Sequence, residues 1–303
     1  MENNNFAAID IGSNGARLLI KNVQRDAMGN CEFTKQLFLR IPLRLGKDVF
    51  TLGEVSAERE RMMMCMMKSY KQLMKLYSVK DYRACATSAM RDAKNGVRIV
   101  KRIKKATGID LEILDGRKEA QLLYDNTIEA MDVMNGNFAY MDVGGGSTEI
   151  TMMSYGKLVD SYSYNVGTIR MLSGAVKEDV MEKLINDMVQ YAAEYKDVTI
   201  IGSGGNINRL CRLYRENSQQ SVPKDQLPVK ELTLLYNTLR ALSLRERMER
   251  YGLKPDRADV IVPAAELFLA VAGALGCEHI LVPNISLADC IIDSLYKSKL
   301  GKE

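Results

Sequence analysis

Two stretches of the chain carry the same alternation of apolar and polar positions. Residues 6–23 run from Phe6-Ala7-Ala8-Ile9 into Asp10, through the turn formers Gly12, Ser13, Asn14 and Gly15, and out along Arg17-Leu18-Leu19-Ile20. Strand, turn and returning strand predict a hairpin. Residues 138–155 repeat the scheme. Ala139-Tyr140-Met141-Asp142-Val143-Gly144-Gly145-Gly146-Ser147 follows Ala7-Ala8-Ile9-Asp10-Ile11-Gly12-Ser13-Asn14-Gly15 position by position, and a second strand follows.

Apolar spacings of three and four predict helices at 56–77, 88–107 and 116–131, then at 177–195 and 206–216. Residues 230–257 read as one amphipathic helix with Leu232, Leu235, Leu239 and Leu242 on its apolar side. Residues 260–275 are apolar but contain Pro263 and Glu266, and they read as a buried helix too short to cross a bilayer. The run Met62-Met63-Met64-Cys65-Met66-Met67 reads as helical core filler. Strands alternating with helices give an α/β class. The repeated hairpin, half a chain apart, points to a duplicated domain. This places a first domain at 1–134, a linker near 132–137, and a second domain at 135–285. A C-terminal helix at 286–303 is expected to pack back on the first.

Composition narrows the function classes. With 47% apolar and 26% charged residues the chain is globular, and 42 basic against 38 acidic residues give a net charge of only +4. That excess is too small for a dedicated nucleic-acid binder. Met1-Glu2-Asn3-Asn4-Asn5 lacks a basic stretch followed by an apolar run, so no secretory signal is expected and the cytoplasm is the expected compartment. No membrane partner is expected either. Cysteines 31, 65, 85, 211, 277 and 290 are scattered without a C-x-x-C pair, as reduced thiols are. His279 is the sole histidine, which removes zincin-type metal sites and leaves a Ser-His-Asp triad resting on one residue between a helical run and a strand. Carboxylates, backbone amides and a bound cation must carry the chemistry.

A glycine-rich turn after a strand lets backbone N–H groups approach phosphate oxygens, because no side chain blocks them. Gly12, Ser13 and Asn14 in the first loop and Gly144, Gly145, Gly146, Ser147 and Thr148 in the second are the candidate phosphate contacts. Asp10 and Asp142, at the ends of the inner strands, are candidate ligands for a hydrated Mg ion that bridges phosphate oxygens. Two such loops facing each other across a cleft would offer donors on both sides of a phosphoryl group. Residues 199–201 read as a further strand, running into Gly202-Ser203-Gly204-Gly205-Asn206 and a helix. That arrangement presents Gly204 and Gly205 to an anion, with a plain tight turn as the alternative.

Four segments carry a family likeness: Ala7-Ala8-Ile9-Asp10-Ile11-Gly12-Ser13-Asn14, Ala86-Thr87-Ser88-Ala89-Met90-Arg91-Asp92-Ala93, Asp142-Val143-Gly144-Gly145-Gly146-Ser147-Thr148-Glu149 and Arg257-Ala258-Asp259. Together they resemble the exopolyphosphatase and guanosine pentaphosphate phosphatase family, over nearly the whole chain. The resemblance implies two ribonuclease-H-like domains of the actin, sugar-kinase and heat-shock ATPase superfamily with an interdomain cleft, dependence on Mg, and hydrolysis of a terminal phosphate. It also implies that Glu119, in Gly116-Arg117-Lys118-Glu119-Ala120, is the general base. Read alone, Glu119 is more simply a complement to a helix N-terminus. Arg91 matches a phosphate-binding arginine of the family, Arg17 assists, and Glu149 supports Mg or water.

The chain departs from the family pattern at three places. Gly15 stands where Ser is frequent and Asn206 where Thr or Ser is frequent. Ser286-Leu287-Ala288-Asp289-Cys290 replaces a common Gly-Leu-Arg-Glu-Gly. The last change removes a cation and puts preference for long polyphosphate in question. The expected substrate is a small anionic phosphate compound, polyphosphate or guanosine pentaphosphate. Phosphotransfer to ADP or a small metabolite, and non-catalytic sensing of a phosphorylated nucleotide, stay open. So does the oligomeric state, a homodimer included.

Overall fold

A computed structural model describes residues 4–25, 31–130, 135–218, 222–283 and 285–300. The expected linker at 132–137 lies in part outside the described residues. The chain divides into two compact units, Met1–Leu122 with Leu287–Glu303, and Leu123–Ser286.

In the first unit, β1 (Asn5–Ile11), β2 (Ala16–Arg25) and β3 (Cys31–Ile41) are followed by α1 (Leu45–Leu52) and α2 (Ala57–Leu76). Next come β4 (Val79–Ala86), α3 (Ser88–Asp92), α4 (Gly96–Thr107), β5 (Leu111–Ile113) and the start of α5 (Gly116–Ala130). The sheet order is β3-β2-β1-β4-β5. β1 pairs antiparallel with β2 and parallel with β4. It is buried on both faces, as a central strand in such a sheet must be. On one face Ala7, Ile9, Ile11, Leu18 and Ile20 pack with Met63, Met67 and Tyr70 of α2 and Ile99 and Ile103 of α4. The C-terminal helix α13 (Leu287–Leu300) covers the other face. There Tyr296 meets Phe6 edge-on at 5.4 Å, and Lys21 pairs with Asp289 at 2.8 Å.

The second unit contains β6 (Asn137–Val143), β7 (Thr148–Ser154), β8 (Lys157–Tyr164), α6 (Thr168–Leu172), α7 (Glu178–Glu194), β9 (Val198–Ser203) and α8 (Gly205–Asn217). These are followed by β10 (Gln226–Pro228), α9 (Val229–Ala241), α10 (Leu244–Tyr251), α11 (Pro255–Ala258), α12 (Ile261–Leu275) and β11 (His279–Leu281). Its sheet order is β10-β11-β9-β6-β7-β8. β6, β7, β8, β9 and β11 occupy the places of β1, β2, β3, β4 and β5, with β10 added at the edge. The apolar stretch Pro255–Leu275 is long enough to span a bilayer, but α12 packs against α7, α8 and α9 with Leu267, Phe268 and Val271 fully buried.

Two helices expected to be continuous are broken. The one predicted at 88–107 stops at Ala93 and restarts at Gly96, because Gly96 fits against the Met90 carbonyl, where an added Cβ would lie only 2.2 Å from that oxygen. The one predicted at 230–257 is cut at Ser243. This serine caps α10 and exchanges hydrogen bonds with Glu246 in a capping box. The methionine run packs as expected at Met63, Met66 and Met67, whereas Met62 is exposed. His279 is exposed at the start of β11.

Candidate functional site

In the first unit the loop after β1 is closed by Gly12 N–H donating to Gly15 O at 3.1 Å. Its outer carbonyls are held from one side. Gly46 N–H donates to Ser13 O at 2.9 Å and Arg44 N–H to Asn14 O at 3.0 Å. In a trans peptide the N–H points opposite the C=O of the same unit, so the N–H groups of Asn14 and Gly15 face away from α1. The geometry suits the anion cradle expected of this loop. The Ser13 hydroxyl is buried and bonds Ser88 at 2.8 Å, tying the loop to α3. Arg44 itself sits in the left-handed region at φ 52°, and the guanidinium of Arg40 lies against Gly15, 3.2 Å from where a side chain would begin.

Asp10, only 1% exposed, stands opposite Arg17 in the β1–β2 register and forms an ion pair with it. On the other side its register partner is Cys85. Burial pushes the Cys85 thiol up to about 12, so it stays protonated and offers no nucleophile.

Glu119 lies in the first turn of α5 and is 5% exposed. Its carboxylate is 3.6 Å from Arg91 Nη1, which also donates to Leu114 O at 2.8 Å. The helix start is served by another residue, since Lys118 N–H donates to the Asp115 carboxylate at 2.8 Å. Asp115 is therefore the cap, and Glu119 is the acid of the first turn that complements the helix N-terminus. The first unit thus brings together the loop, Asp10 with Arg17, and Glu119 with Arg91 at the C-terminal ends of its parallel strands.

The second loop repeats the closure, Gly144 N–H donating to Ser147 O at 3.0 Å. Here α6 holds the carbonyls. Thr168 N–H donates to Gly144 O at 3.0 Å, Ile169 N–H to Gly145 O at 2.8 Å, and Arg170 Nε to Gly146 O at 2.7 Å. By the same peptide geometry the N–H groups of Gly145, Gly146 and Ser147 face away from α6. The contact is so close that a Cβ on Gly167 would lie 2.6 Å from Gly146 N. Thr148 is fully buried and donates its hydroxyl to Val166 O at 2.6 Å, so it braces the loop from behind.

Across the β6–β7 register Asp142 stands opposite Glu149, which is 2% exposed and accepts from Ser163 Oγ at 2.9 Å. Two carboxylates in register suit a hard divalent cation that keeps several waters. Among the described residues no three His, Cys, Asp or Glu side chains group as a metal site. The protein would therefore supply these two oxygen donors and leave the rest to water and substrate. Residues 203–206 lie at the same end of the sheet. Gly204, at φ 102°, has the Asp142 carboxylate 2.9 Å from its vacant Cβ position, and Gly205 lies under the Arg257 guanidinium, which donates to Asn206 Oδ1 at 3.2 Å. The N-terminus of α8 carries no side-chain cap, as an anion-binding helix start requires.

Sequence reasoning did not assign the residues that hold the loops: Ser88, Arg44 and Gly46 for the first, and Gly167 to Arg170 for the second. Gly167 was the available signal, a lone glycine just before a short helix. Arg257 was noticed only as part of a motif, and its contact with Gly205 and Asn206 gives it a place.

A profile of the Ppx/GppA phosphatase family matches residues 37–299. The bifunctional 3-dehydroquinate synthase/phosphatase of Fusobacterium nucleatum is 28% identical over 96% of this chain, which spans about half (47%) of that protein. Exopolyphosphatase 2 of Mycobacterium tuberculosis is 25% identical, with 95% of this chain and 98% of that one covered. A crystal structure of an exopolyphosphatase from Cytophaga hutchinsonii superposes with a TM-score of 0.84 at 22% identity, covering 97% and 98% of the two chains.

Proposed function

This chain belongs to the Ppx/GppA phosphatase family and is a phosphoanhydride hydrolase, and from that premise we propose that it releases the terminal phosphate of inorganic polyphosphate or guanosine pentaphosphate, with Glu119 as general base. The observation that carries the reading is a buried carboxylate beside Arg91 in the same unit as a phosphate-type loop. The guanidinium lies within ion-pair distance of that carboxylate. It also leaves donors for a phosphoryl oxygen, a geometry Arg serves well.

Glu119 takes one proton from the attacking water as its oxygen bonds to the terminal phosphorus. The bridging P–O bond breaks with its electron pair going to the shortened chain, and orthophosphate leaves. The outward N–H groups of the first loop, in the same unit as Glu119, bind phosphate oxygens and hold the chain in line for attack. Asp142 and Glu149 would hold Mg, which when bound neutralises phosphate charge. Asp10, expected as a further Mg ligand, forms an ion pair with Arg17, and we assign it to orienting the first loop.

The test is phosphate release from polyphosphate and from guanosine pentaphosphate, with and without Mg and with ADP as an alternative acceptor. Glu119→Gln should lower kcat by about a hundred- to ten-thousand-fold with the fold retained. A wild type inactive on both substrates, or a fully active variant, would sink the assignment.

A further inference from the structure

The basic residues of this chain are unevenly placed. α2 and α4, packed side by side, carry ten Lys and Arg against two carboxylates, an excess of eight in a chain whose net charge is +4. α4 alone has five cations and no acid. Arg98, Lys101, Arg102 and Lys105 share one side of it and line a 460 Å³ groove with Val97. A second groove of 340 Å³ shares Arg98 and continues to Lys94 and Asn95, with Glu54 and Glu60 on its far wall. From Lys94 to Lys105 the strip runs about 16 Å.

Part of the strip is held in place. Glu60, 4% exposed, accepts from both Arg98 at 3.0 Å and Arg102, whose side chains are still 61% and 57% exposed. One carboxylate under two guanidiniums leaves one positive charge in excess and fixes both stems. The strip also begins in a particular place. β4 and β5 are parallel, so α4 runs back across the sheet and its N-terminus lies at the end of the sheet that carries Asp10, beside Arg91 of α3. Lys94 follows Arg91 by one short turn.

We infer that the strip along α4 is an accessory docking surface for the distal part of an extended inorganic polyphosphate chain. The inference rests on the phosphohydrolase reading for its choice of polyanion. A polymer with a charge on every unit gains most from a row of cations, and its binding weakens steeply with salt.

Lys101→Glu/Lys105→Glu tests it, because both side chains are exposed and lie outside the loops, Arg91 and Glu119. Thermal unfolding checks the fold, and the double alanine variant gives the milder version. Expected are a KM for long-chain polyphosphate raised about tenfold, a shallower salt dependence, and unchanged kcat and unchanged KM for guanosine pentaphosphate. Direct binding of labelled long-chain polyphosphate, measured without turnover, separates the two readings. If the wild type binds the polymer and the variant does not, while neither hydrolyses it, the hydrolase reading fails and the surface stands. Equal binding and equal KM in wild type and variant overturn the surface. Tighter wild-type binding to single-stranded RNA than to polyphosphate, lost in the variant, also overturns it by making the strip a nucleic-acid surface.

Discussion

In the first hairpin the residue across from the loop aspartate is Arg17, and in the second it is Glu149. The two loops otherwise match. Each is closed by an N–H to C=O bond across four residues, and each has its carbonyls held by a nearby helix start so that its amides face the other way. At this register position the first hairpin pairs opposite charges and the second pairs like ones. Like charges across a ladder destabilise it unless something intervenes. The difference teaches that a duplicated frame can divide labour. On the proposed reading the first loop supplies amides, while Asp142 and Glu149 beside the second would hold the cation.

The brace behind each loop offers the largest effect by which this comparison can be broken. Gly167→Ala places a methyl within 2.7 Å of Gly145 and Gly146 backbone atoms, and backbone cannot step aside. It should destabilise by about 3 kcal/mol and depress phosphate release. Gly15→Ser meets the movable end of Arg40 and the Ile41 carbonyl at 3.1 Å or more, and should cost clearly less. Urea unfolding of both compares the braces directly. Equal losses would mean the loops are not braced differently. Asp10→Asn removes the ion pair with Arg17 and should cost about 2 kcal/mol in the same assay. Ser88→Ala removes one buried hydroxyl bond to the first loop and should cost about 1 kcal/mol.

The smallest effect is a pH dependence behind the first loop. Asp48 anchors α1 by accepting from Ser56 N–H and Arg59 Nε. Burial alone would raise its carboxyl, but Ser56 and Arg59 together hold it below the usual value. A depressed carboxyl contributes stability in full above its unfolded pKa and loses it as the pH falls through the folded one. The stability gap between wild type and Asp48→Asn should therefore be full at pH 6 and shrink below about pH 4. A gap that stays constant down to pH 3 would remove Asp48 from the anchor.

Much of this frame was legible in the chain because hairpins are local. Asp10 and Asp142 announce themselves by strand period and turn residues a few positions apart. The Arg17 and Glu149 contrast was equally local, since equal turn lengths put both in the same register place, yet it emerges only when the hairpins are compared pair by pair. The capping box at Ser243 and Glu246 was also written in the sequence and lost under a continuing leucine period. The braces were not legible. Gly46 and Gly167 matter because of backbone contacts with residues 33 and 21 positions earlier, at Ser13 and Gly146, and no local pattern encodes such approaches. Glu119 followed from family likeness, and its nearness to Arg91 needed the fold.

The most direct test of the contrast between the loops is the Mg concentration that gives half-maximal phosphate release, compared in wild type, Asp142→Asn and Asp10→Asn. The account predicts a midpoint raised about tenfold or more by Asp142→Asn and left in place by Asp10→Asn, whatever that variant does to stability. An equal rise in both variants, or no rise in either, would contradict it.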